Sequence, residues 1–394
     1  MSSRDQAGAR GSGLATLSRR APRRSQLSHA LVGLTVLAGL VAVLPIAGAI
    51  VAAALGAGGS HAATRTAFAT APAGEYAVVA RNSQDADTIF VAPAENPDTA
   101  TEIARIPHLP GFASTGAVSP EGRRLALVAA DAGTPVRPGA SLYLLDLETA
   151  ALTRVATAVD YLQTPIWSPD GRSLVFTRTL GGDGAVASVT VFRAAVDASG
   201  ETQVSSFDRV LGAYTVGFDT SGRLILVVID GRGSTAYRGG AAAAHLSTQI
   251  TRDWKLSPDG TRLAFIESDT SAGLRYRSST VLLDESSTGD VAAQSAVSGD
   301  GQQLGVAWKP GAADPTFGSE PGTGATDGGV SAQVTTDGFD VPVAFSPGGS
   351  RLAVQHWSGS NFSRAGTMSL QVVTADGART PFGMFTRFYG WATR

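Results

Sequence analysis

The sequence predicts an all-β domain, a β-propeller of six to seven four-stranded antiparallel blades, preceded by one N-terminal transmembrane helix. Three observations lead to this prediction. A turn phrase of the type Ser-Pro-Asp-Gly, followed by an apolar run, recurs along the chain of 394 residues. The 47 glycines and 19 prolines favour many short strands over long helices. Near the amino terminus, an uncharged apolar stretch covers residues 31–55.

The amino-terminal region is predicted to anchor the chain in a membrane. Residues 1–30 are a basic tail, and residues 31–55 would span about 37 Å as a helix, enough to cross a bilayer core of about 30 Å. The positive-inside rule places the tail in the cytoplasm and the remainder outside, as a single-pass protein of a bacterial cytoplasmic membrane. Cleavage near Ala62, which would give a secreted protein, is the alternative. Residues 56–73 are small and polar, and we expect a flexible linker.

The domain predicted over residues 74–394 is built from a repeat. Full copies of the turn phrase begin at residues 119, 168, 219, 257 and 346, and a fainter copy begins at residue 308. Proline and aspartate favour the turn, and glycine allows the positive φ at which the chain reverses. Most units contain a second hairpin, so each unit of about 45 residues predicts a four-stranded blade. Residues 388–394 mimic the start of another unit, and we expect them to complete the first blade beside residues 75–81.

These repeats resemble the TolB-like and WD-repeat-like β-propellers. The resemblance rests on the phrase from Trp167 to Phe176 and on its copy from Leu256 to Phe265, and it extends over residues 74–394. It implies protein–protein interaction in an envelope complex, although the fold itself hosts many functions. Seven candidate units are present where the TolB propeller implies six. The unit at Trp308 continues into a loop-like sequence, so the number of blades stays open between six and seven.

Composition and motifs exclude several classes of site. The chain has no cysteine, which excludes disulfides, thiolate metal sites and cysteine nucleophiles. The region after residue 30 is mildly acidic, which argues against nucleic acid as a partner. No G-x-S-x-G elbow or P-loop occurs, and the five histidines lack metal-binding spacing. We therefore expect no catalytic residue, metal or cofactor. Asp85 and Asp87 hint only weakly at calcium, and the recurring Asp170 and Asp259 are interpreted as turn residues.

The candidate binding residues lie in the loops that enter the innermost strand of each blade. In a propeller these loops ring one mouth of the central channel. Tyrosine and arginine are favoured at binding hot spots. The candidates are Asp160, Tyr161, Gln163, Tyr214, Arg252, Asp253, Asp340, Arg387 and Tyr389.

Three functions are compatible with this sequence. The preferred one is a non-enzymatic, membrane-anchored, extracytoplasmic platform that binds a protein or ligand at the channel mouth. It would contact the membrane through residues 31–55 and a protein partner in the cell envelope. The alternative is a propeller hydrolase, lactonase-like or glycan-cleaving, for which the candidate loops supply only the carboxylates of Asp160, Asp253 and Asp340. The third is a sensor that relays binding through the helix, and the short cytoplasmic tail argues against it.

Overall fold

The described part of the chain forms a six-bladed β-propeller of antiparallel blades. The computed structural model describes residues 66–134, 137–181, 187–269, 275–283, 303–319, 338–360 and 364–394. Their strands assemble into six sheets. The predicted tail 1–30, the predicted anchor 31–55 and linker residues 56–65 lie outside the described residues. Within the described ranges, no helix has the length and apolar character needed to cross a membrane.

The first four blades have four described strands each. Blade 1 contains β1 (Glu75–Asn82), β2 (Ala86–Pro93), β3 (Thr101–Pro107) and the last strand, β25 (Arg387–Thr393). Blade 2 contains β4 (Thr115–Val118), β5 (Arg124–Thr134), β6 (Arg137–Asp146) and β7 (Leu152–Val159). Blade 3 contains β8 (Ile166–Trp167), β9 (Ser173–Leu180), β10 (Ala187–Ala195) and β11 (Glu201–Val210). Blade 4 contains β12 (Gly212–Phe218), β13 (Leu224–Asp230), β14 (Gly233–Arg238) and β15 (Ala241–Ser247).

The remaining two sheets settle the number of blades at six. Blade 5 has three described strands, β16 (Thr251–Leu256), β17 (Arg262–Asp269) and β18 (Arg275–Leu282). The sixth sheet contains β19 (Gln303–Ala307), β20 (Thr316–Ser319), β21 (Phe339–Phe345), β22 (Arg351–Trp357), β23 (Met368–Thr374) and β24 (Arg379–Pro381). The last four of these strands are blade 6. The unit predicted at Trp308 is the hairpin β19–β20, which joins blade 6 through the pair Ser319 and Asp340.

The end of the chain closes the first blade. Strand β25 pairs antiparallel with β1, with Tyr76 opposite Ala392 and Ala77 opposite Trp391. This pairing confirms the expectation drawn from the final residues of the sequence. Since the pairing ties the two ends of the domain together in one sheet, it covers a strand edge that would otherwise be open to aggregation.

Apolar side chains fill the spaces between neighbouring blades. In blade 3, Leu174 packs towards blade 2 and the adjacent Val175 packs towards blade 4, and neither side chain is exposed. Successive residues of a strand point to opposite faces of the sheet. A second strand covered on both faces is therefore apolar throughout, which is why the run after each turn phrase shows no alternation.

Three buried tryptophans at the equivalent repeat position connect neighbouring units. Each indole N–H donates to a backbone carbonyl in the first strand of the preceding unit. The bonds are Trp167 Nε1 to the Ala117 oxygen at 2.8 Å, Trp308 Nε1 to the Lys255 oxygen at 3.0 Å, and Trp391 Nε1 to the Ala344 oxygen at 3.2 Å. A buried indole N–H generally finds such a partner. The shared geometry makes the three acceptor positions equivalent, and it includes the short unit at Trp308.

The two ends of the blades carry different loops. The turn phrases join first to second strands and form the turn face, residues 119–122, 168–171, 219–222, 257–260 and 346–349. The connections that lead into the first strands, such as residues 108–114 and 160–165, lie at the opposite end, the entry face. Asp170 accepts a bond from Ser168 Oγ at 2.6 Å, and Asp259 accepts one from Ser257 Oγ at 2.5 Å. Both aspartates are turn residues, as the sequence predicts.

Residues 66–73 of the predicted linker lie on the turn face. Thr66 Oγ1 donates to the Leu147 carbonyl at 2.7 Å. The buried Phe68 ring packs edge-on against Tyr76, with 5.4 Å between the ring centroids. Arg394 Nε donates to the Ala71 carbonyl at 3.0 Å. This part of the linker is therefore fixed against blades 1 and 2.

Candidate binding face

The structure places all nine candidate binding residues at the entry face. Asp160, Tyr161 and Gln163 lie in the connection between β7 and β8. The other six occupy the first three residues of β12, β16, β21 and β25. Tyr389 is buried and the other eight are half-buried, so none of the nine projects fully into solvent.

Two of these residues hold their own connection in place. The carboxylate of Asp160 accepts bonds from Thr177 Oγ1 at 2.5 Å and from the Thr179 N–H at 2.8 Å. Gln163 Nε2 donates to the Ala213 carbonyl of blade 4 at 2.9 Å. These bonds fix residues 160–165 against blades 3 and 4.

Tyr161 packs within the same connection. Its hydroxyl donates to the Ala113 carbonyl at 2.6 Å, and its ring meets Phe112 edge-on, with 5.3 Å between the centroids. Burial raises the pKa of Tyr161, and the charge of Arg387 partly opposes that rise. The hydroxyl is therefore a neutral, engaged group at neutral pH.

A buried polar network that sequence reasoning missed lies at the entry end of blades 1 and 2. Asp87 Oδ2 accepts bonds from the N–H and the hydroxyl of Ser114, both at 2.6 Å. Asp87 Oδ1 accepts a bond from Asn82 Nδ2 at 2.6 Å and lies 3.3 Å from His108 Nε2. The Ser114 and Tyr389 hydroxyl oxygens are 2.8 Å apart. The network joins the β1–β2 hairpin, the connection before β4 and β25.

Burial and hydrogen bonding act in opposite directions on this network. Burial alone would raise the pKa of Asp87, but the bonds from His108 and Ser114 outweigh it and lower that pKa. Burial alone would lower the pKa of His108, but the contacts with Asp87 and the Leu109 carbonyl outweigh it and raise that pKa. Asp87 and His108 therefore form a buried pair in which each charge stabilises the other. Removing one partner of such a pair leaves an uncompensated buried charge.

The network has the residue types of a serine hydrolase but not their order. In a catalytic triad the histidine lies between serine and carboxylate and accepts the serine proton. Here Asp87 lies between Ser114 and His108, and the other nitrogen of His108, Nδ1, lies 2.9 Å from the Leu109 carbonyl oxygen. Ser114 is fully buried. This order lacks the histidine base that activates the serine hydroxyl in a catalytic triad.

The aspartates that hinted at calcium have protein partners in the structure. Asp87 belongs to the buried network, and Asp85 Oδ1 pairs with Arg105 Nη2 at 3.2 Å. Over the part of the chain that the structure describes, no cluster of three or more His, Asp or Glu side chains could hold a metal ion.

The candidates on blades 4 and 5 are also engaged within the protein. The rings of Tyr214 and Trp254 are 4.8 Å apart, and burial raises the pKa of Tyr214. The Arg252 guanidinium lies 4.5 Å from the centroid of the Tyr276 ring and forms an ion pair with Asp253. These contacts pack the first strands of blades 4 and 5.

Asp340 is held by a histidine and an arginine on blade 6. Its Oδ1 lies 2.9 Å from His356 Nδ1, and both carboxylate oxygens accept bonds from Arg379. Arg379 Nη1 also donates to Gln371 Oε1 at 3.0 Å. The three carboxylates considered for a hydrolase, those of Asp160, Asp253 and Asp340, thus have separate partners on different blades.

The entry face also carries exposed leucines that sequence reasoning missed. Leu162 is 72% exposed, Leu180 is 62% exposed and Leu211 is 41% exposed. Leu162 lies between Tyr161 and Gln163, Leu180 ends β9, and Leu211 precedes β12. The bonds of Asp160 to Thr179 and of Gln163 to Ala213 bring these segments into one sector. We call Leu162, Leu180 and Leu211 the leucine patch. Its one sequence signal is Leu162, an apolar residue in a connection flanked by polar candidates.

Comparisons with known proteins show similarity of fold alone. No family model matches the chain, and no curated protein matches it. TolB from Acinetobacter baumannii is 16% identical with a TM-score of 0.48, and the match covers 81% of this chain and 65% of that one. Puromycin hydrolase is 13% identical with a TM-score of 0.53, and the match covers 82% and 55%. A prolyl endopeptidase is 11% identical with a TM-score of 0.50, and the match covers 78% and 49%. The chain thus spans less than two thirds of each of these proteins.

Proposed function

We propose that this protein is a membrane-anchored, extracytoplasmic and non-enzymatic platform that binds a protein partner of the cell envelope through its entry face. The observation that carries the proposal is the leucine patch. Single exposed apolar residues are ordinary on protein surfaces, but several in one sector mark an interaction site. Among the described residues, six large apolar side chains are 41% exposed or more, and three of them form this patch.

The surroundings of the patch suit a protein surface better than a small substrate. Hot spots combine apolar and aromatic side chains on a rigid frame. The half-buried rings of Tyr161 and Phe112 lie in the same part of the entry face, and the bonds of Asp160 and Gln163 keep the connection fixed. A surface held in this way loses little conformational entropy when a partner binds.

The non-enzymatic part of the proposal rests on what the entry face offers for catalysis. Ser114 is buried and bonded to Asp87 instead of to a histidine base. Asp160, Asp253 and Asp340 do not converge, since each is bonded to groups of its own blade. A hydrolase site needs a nucleophile or a polarised water with a base in reach. The described residues at this face favour binding over such chemistry.

The membrane part of the proposal rests on residues 31–55 and on where the described chain begins. The apolar stretch and its basic flank are typical of a signal anchor. The following segment, residues 66–73, contacts the propeller on the turn face, through Thr66 and Phe68. The entry face stays clear of that contact and is available to a partner in the envelope.

The test is crosslinked co-purification of the full-length protein from its native membrane, read by mass spectrometry. The variant replaces Leu162, Leu180 and Leu211 together by Asp. The matched control replaces Leu282 and Val204, which are exposed to 49% and 42% outside the patch, by Asp. We expect the patch variant to lose its stoichiometric partner by about tenfold or more, equivalent to at least about 1.4 kcal/mol of binding free energy.

The control variant should keep the partner, and both variants should melt like the wild type. Equal recovery of the same partners by all three proteins would refute the leucine patch as the binding site. The anchor is tested by carbonate extraction of the membrane fraction. Release of the full-length protein into the soluble extract would refute the anchor.

A further inference from the structure

Lys255 occupies a position that recurs in every unit and is small or apolar in all the others. The position precedes the aromatic or apolar residue of the turn phrase, and its carbonyl accepts the inter-unit indole bonds of Trp167, Trp308 and Trp391. The seven residues at this position are Ala117, Ile166, Gly217, Lys255, Ala307, Ala344 and Gly390. The repeat therefore places one long cationic side chain at a position that is glycine, alanine or isoleucine in the other units.

The free edge of strand β16 gives this side chain a way out into the channel. Among the described strands, β16 is bonded to β17 alone, so its other edge faces the propeller axis. The equivalent residues Ala117 and Ala344 fit between units, packed against Trp167 and Trp391. A lysine is too long for that space. The Lys255 side chain is exposed to solvent, as expected if it leaves along the free edge.

The ammonium of Lys255 has no protein partner among the described residues. Within the described ranges, no hydrogen bond or ion pair involves its Nζ. The carboxylate nearest in sequence, that of Asp253, is already paired with Arg252. Desolvation by the surrounding protein lowers the pKa of Lys255, and the charge of Asp253 only partly opposes this. A group inside a channel can touch water and still be surrounded by protein, which reconciles its exposure with its desolvation.

We propose that the central channel binds a small carboxylate anion through Lys255. An unpaired cation in a partly desolvated channel attracts an anion more strongly than it would in bulk water. One ammonium balances one carboxylate group, whereas phosphate, unlike acetate or succinate, concentrates up to two charges on a single group and would need further cations. The other six residues at this level are uncharged, and five of them are glycine or alanine, so the aliphatic part of the anion would have small apolar neighbours, as in ligand sites that combine apolar walls with a few polar groups.

The chain offers a direct test, because Lys255 and Lys309 are its only two lysines and both follow a tryptophan. Reductive methylation with carbon-13 formaldehyde labels these two side chains and the amino terminus of the full-length protein. The pKa of each is then read by NMR titration, with and without acetate, succinate or inorganic phosphate at constant ionic strength in sodium chloride. Lys309→Met assigns the signals and serves as the matched control.

We expect the Lys255 signal to titrate below the ordinary lysine pKa of 10.5. Acetate and succinate should shift it saturably and raise its pKa, since a bound anion favours the charged amine. In isothermal titration of the unlabelled proteins, Lys255→Met should weaken succinate binding at least tenfold, while Lys255→Arg and Lys309→Met should retain it. Unchanged thermal melting of Lys255→Met would separate lost binding from lost structure.

Three results would overturn the proposal. The first is the absence of a saturable shift with either carboxylate. The second is a response to phosphate alone, which would replace the carboxylate by a different anion. The third is equal succinate binding by wild type and Lys255→Met. None of these outcomes depends on the protein partner at the entry face, because the leucine patch and Lys255 are tested with different variants.

Discussion

On the turn face one contact recurs from blade to blade, whereas on the entry face each junction has contacts of its own. The arginine that opens the second strand reaches the following unit in three blades. These bonds are Arg124 Nη2 to the Gly171 oxygen at 2.8 Å, Arg262 Nη1 to the Ala313 oxygen at 2.7 Å, and Arg351 Nη1 to Glu75 Oε2 at 2.7 Å. Among the described residues, the Asp87 network occurs at the junction of blades 1 and 2 alone. The repeated turn-face contacts therefore connect successive units around the propeller, whereas residues that depart from the repeat form the contacts specific to one junction.

The largest effect should come from breaking the single junction on the entry face. Asp87→Ala removes the partner of His108 and of both donors of Ser114 while these groups stay buried. Loss of one partner from a buried pair costs about 3–5 kcal/mol. We expect the free energy of unfolding of this variant, measured by urea denaturation, to fall by that amount.

The matched control for this variant lies two residues away. Asp85→Ala removes an ion pair with Arg105 in which both side chains are exposed, and such pairs contribute little to stability. A urea midpoint for Asp87→Ala equal to that of Asp85→Ala would contradict the assignment of the network as a junction. Should Asp87→Ala fail to fold, Asp87→Asn, which keeps the shape and part of the bonding, provides the intermediate measurement.

A smaller effect should separate two glycines on the turn face. Gly260 and Gly222 hold the same place in the turn phrase, with φ of +68° and +78°. A Cβ atom at Gly260 would lie 2.7 Å from the backbone Cα of Asp219, whereas a Cβ atom at Gly222 would meet nothing within 4 Å. Both alanine variants should lose about 1–2 kcal/mol because of the left-handed backbone. Gly260→Ala should lose about 1–3 kcal/mol more because backbone atoms must move.

Thermal and urea unfolding of the two variants check this difference. The comparison controls itself, because the backbone conformation is shared and only the neighbouring turn differs. Equal destabilisation would mean that the turns of blades 4 and 5 do not press on each other, and that the turn face is a row of independent hairpins.

The turn face was easier to predict from the sequence than the entry face, because the turn face is built by the repeat. The turn phrase predicted the hairpins, the apolar second strands and the closure of blade 1 by β25, because local turn chemistry and apolar runs leave direct marks in the sequence. The number of blades stayed open, because the sequence at Trp308 keeps the first turn but continues into a loop-like stretch. Its indole bond to Lys255 shows that it nevertheless packs as the other units do.

The entry face was predictable only in location. The nine candidate residues lie there, but their bonds come from segments far away in sequence, such as Asp87 with Ser114 and Gln163 with Ala213. No local pattern encodes such pairs. Leu162, Leu180 and Leu211 look like ordinary apolar residues in the sequence, because exposure depends on which neighbours the fold supplies.

The smallest expected effect is a pH dependence of the free energy of unfolding that arises from His108 and Asp87 on the entry face. The pKa of His108 is raised above its ordinary value of 6.5, so the stability that its charge contributes is complete below pH 6.5 and is lost as the pH rises through the folded value. The pKa of Asp87 is lowered from 3.8, so its contribution is lost only in acid, as the pH falls through its folded value. Each unit of pKa difference corresponds to about 1.4 kcal/mol.

The free energy of unfolding of the wild type should therefore decline from pH 6.5 upwards, and His108→Gln should remove this decline. His245→Gln, which alters an exposed histidine, should leave it in place. Parallel pH profiles for the wild type and His108→Gln would show that the histidine is neutral in the folded protein, and the Asp87 network would then be held by Ser114 and Asn82 without a charged pair.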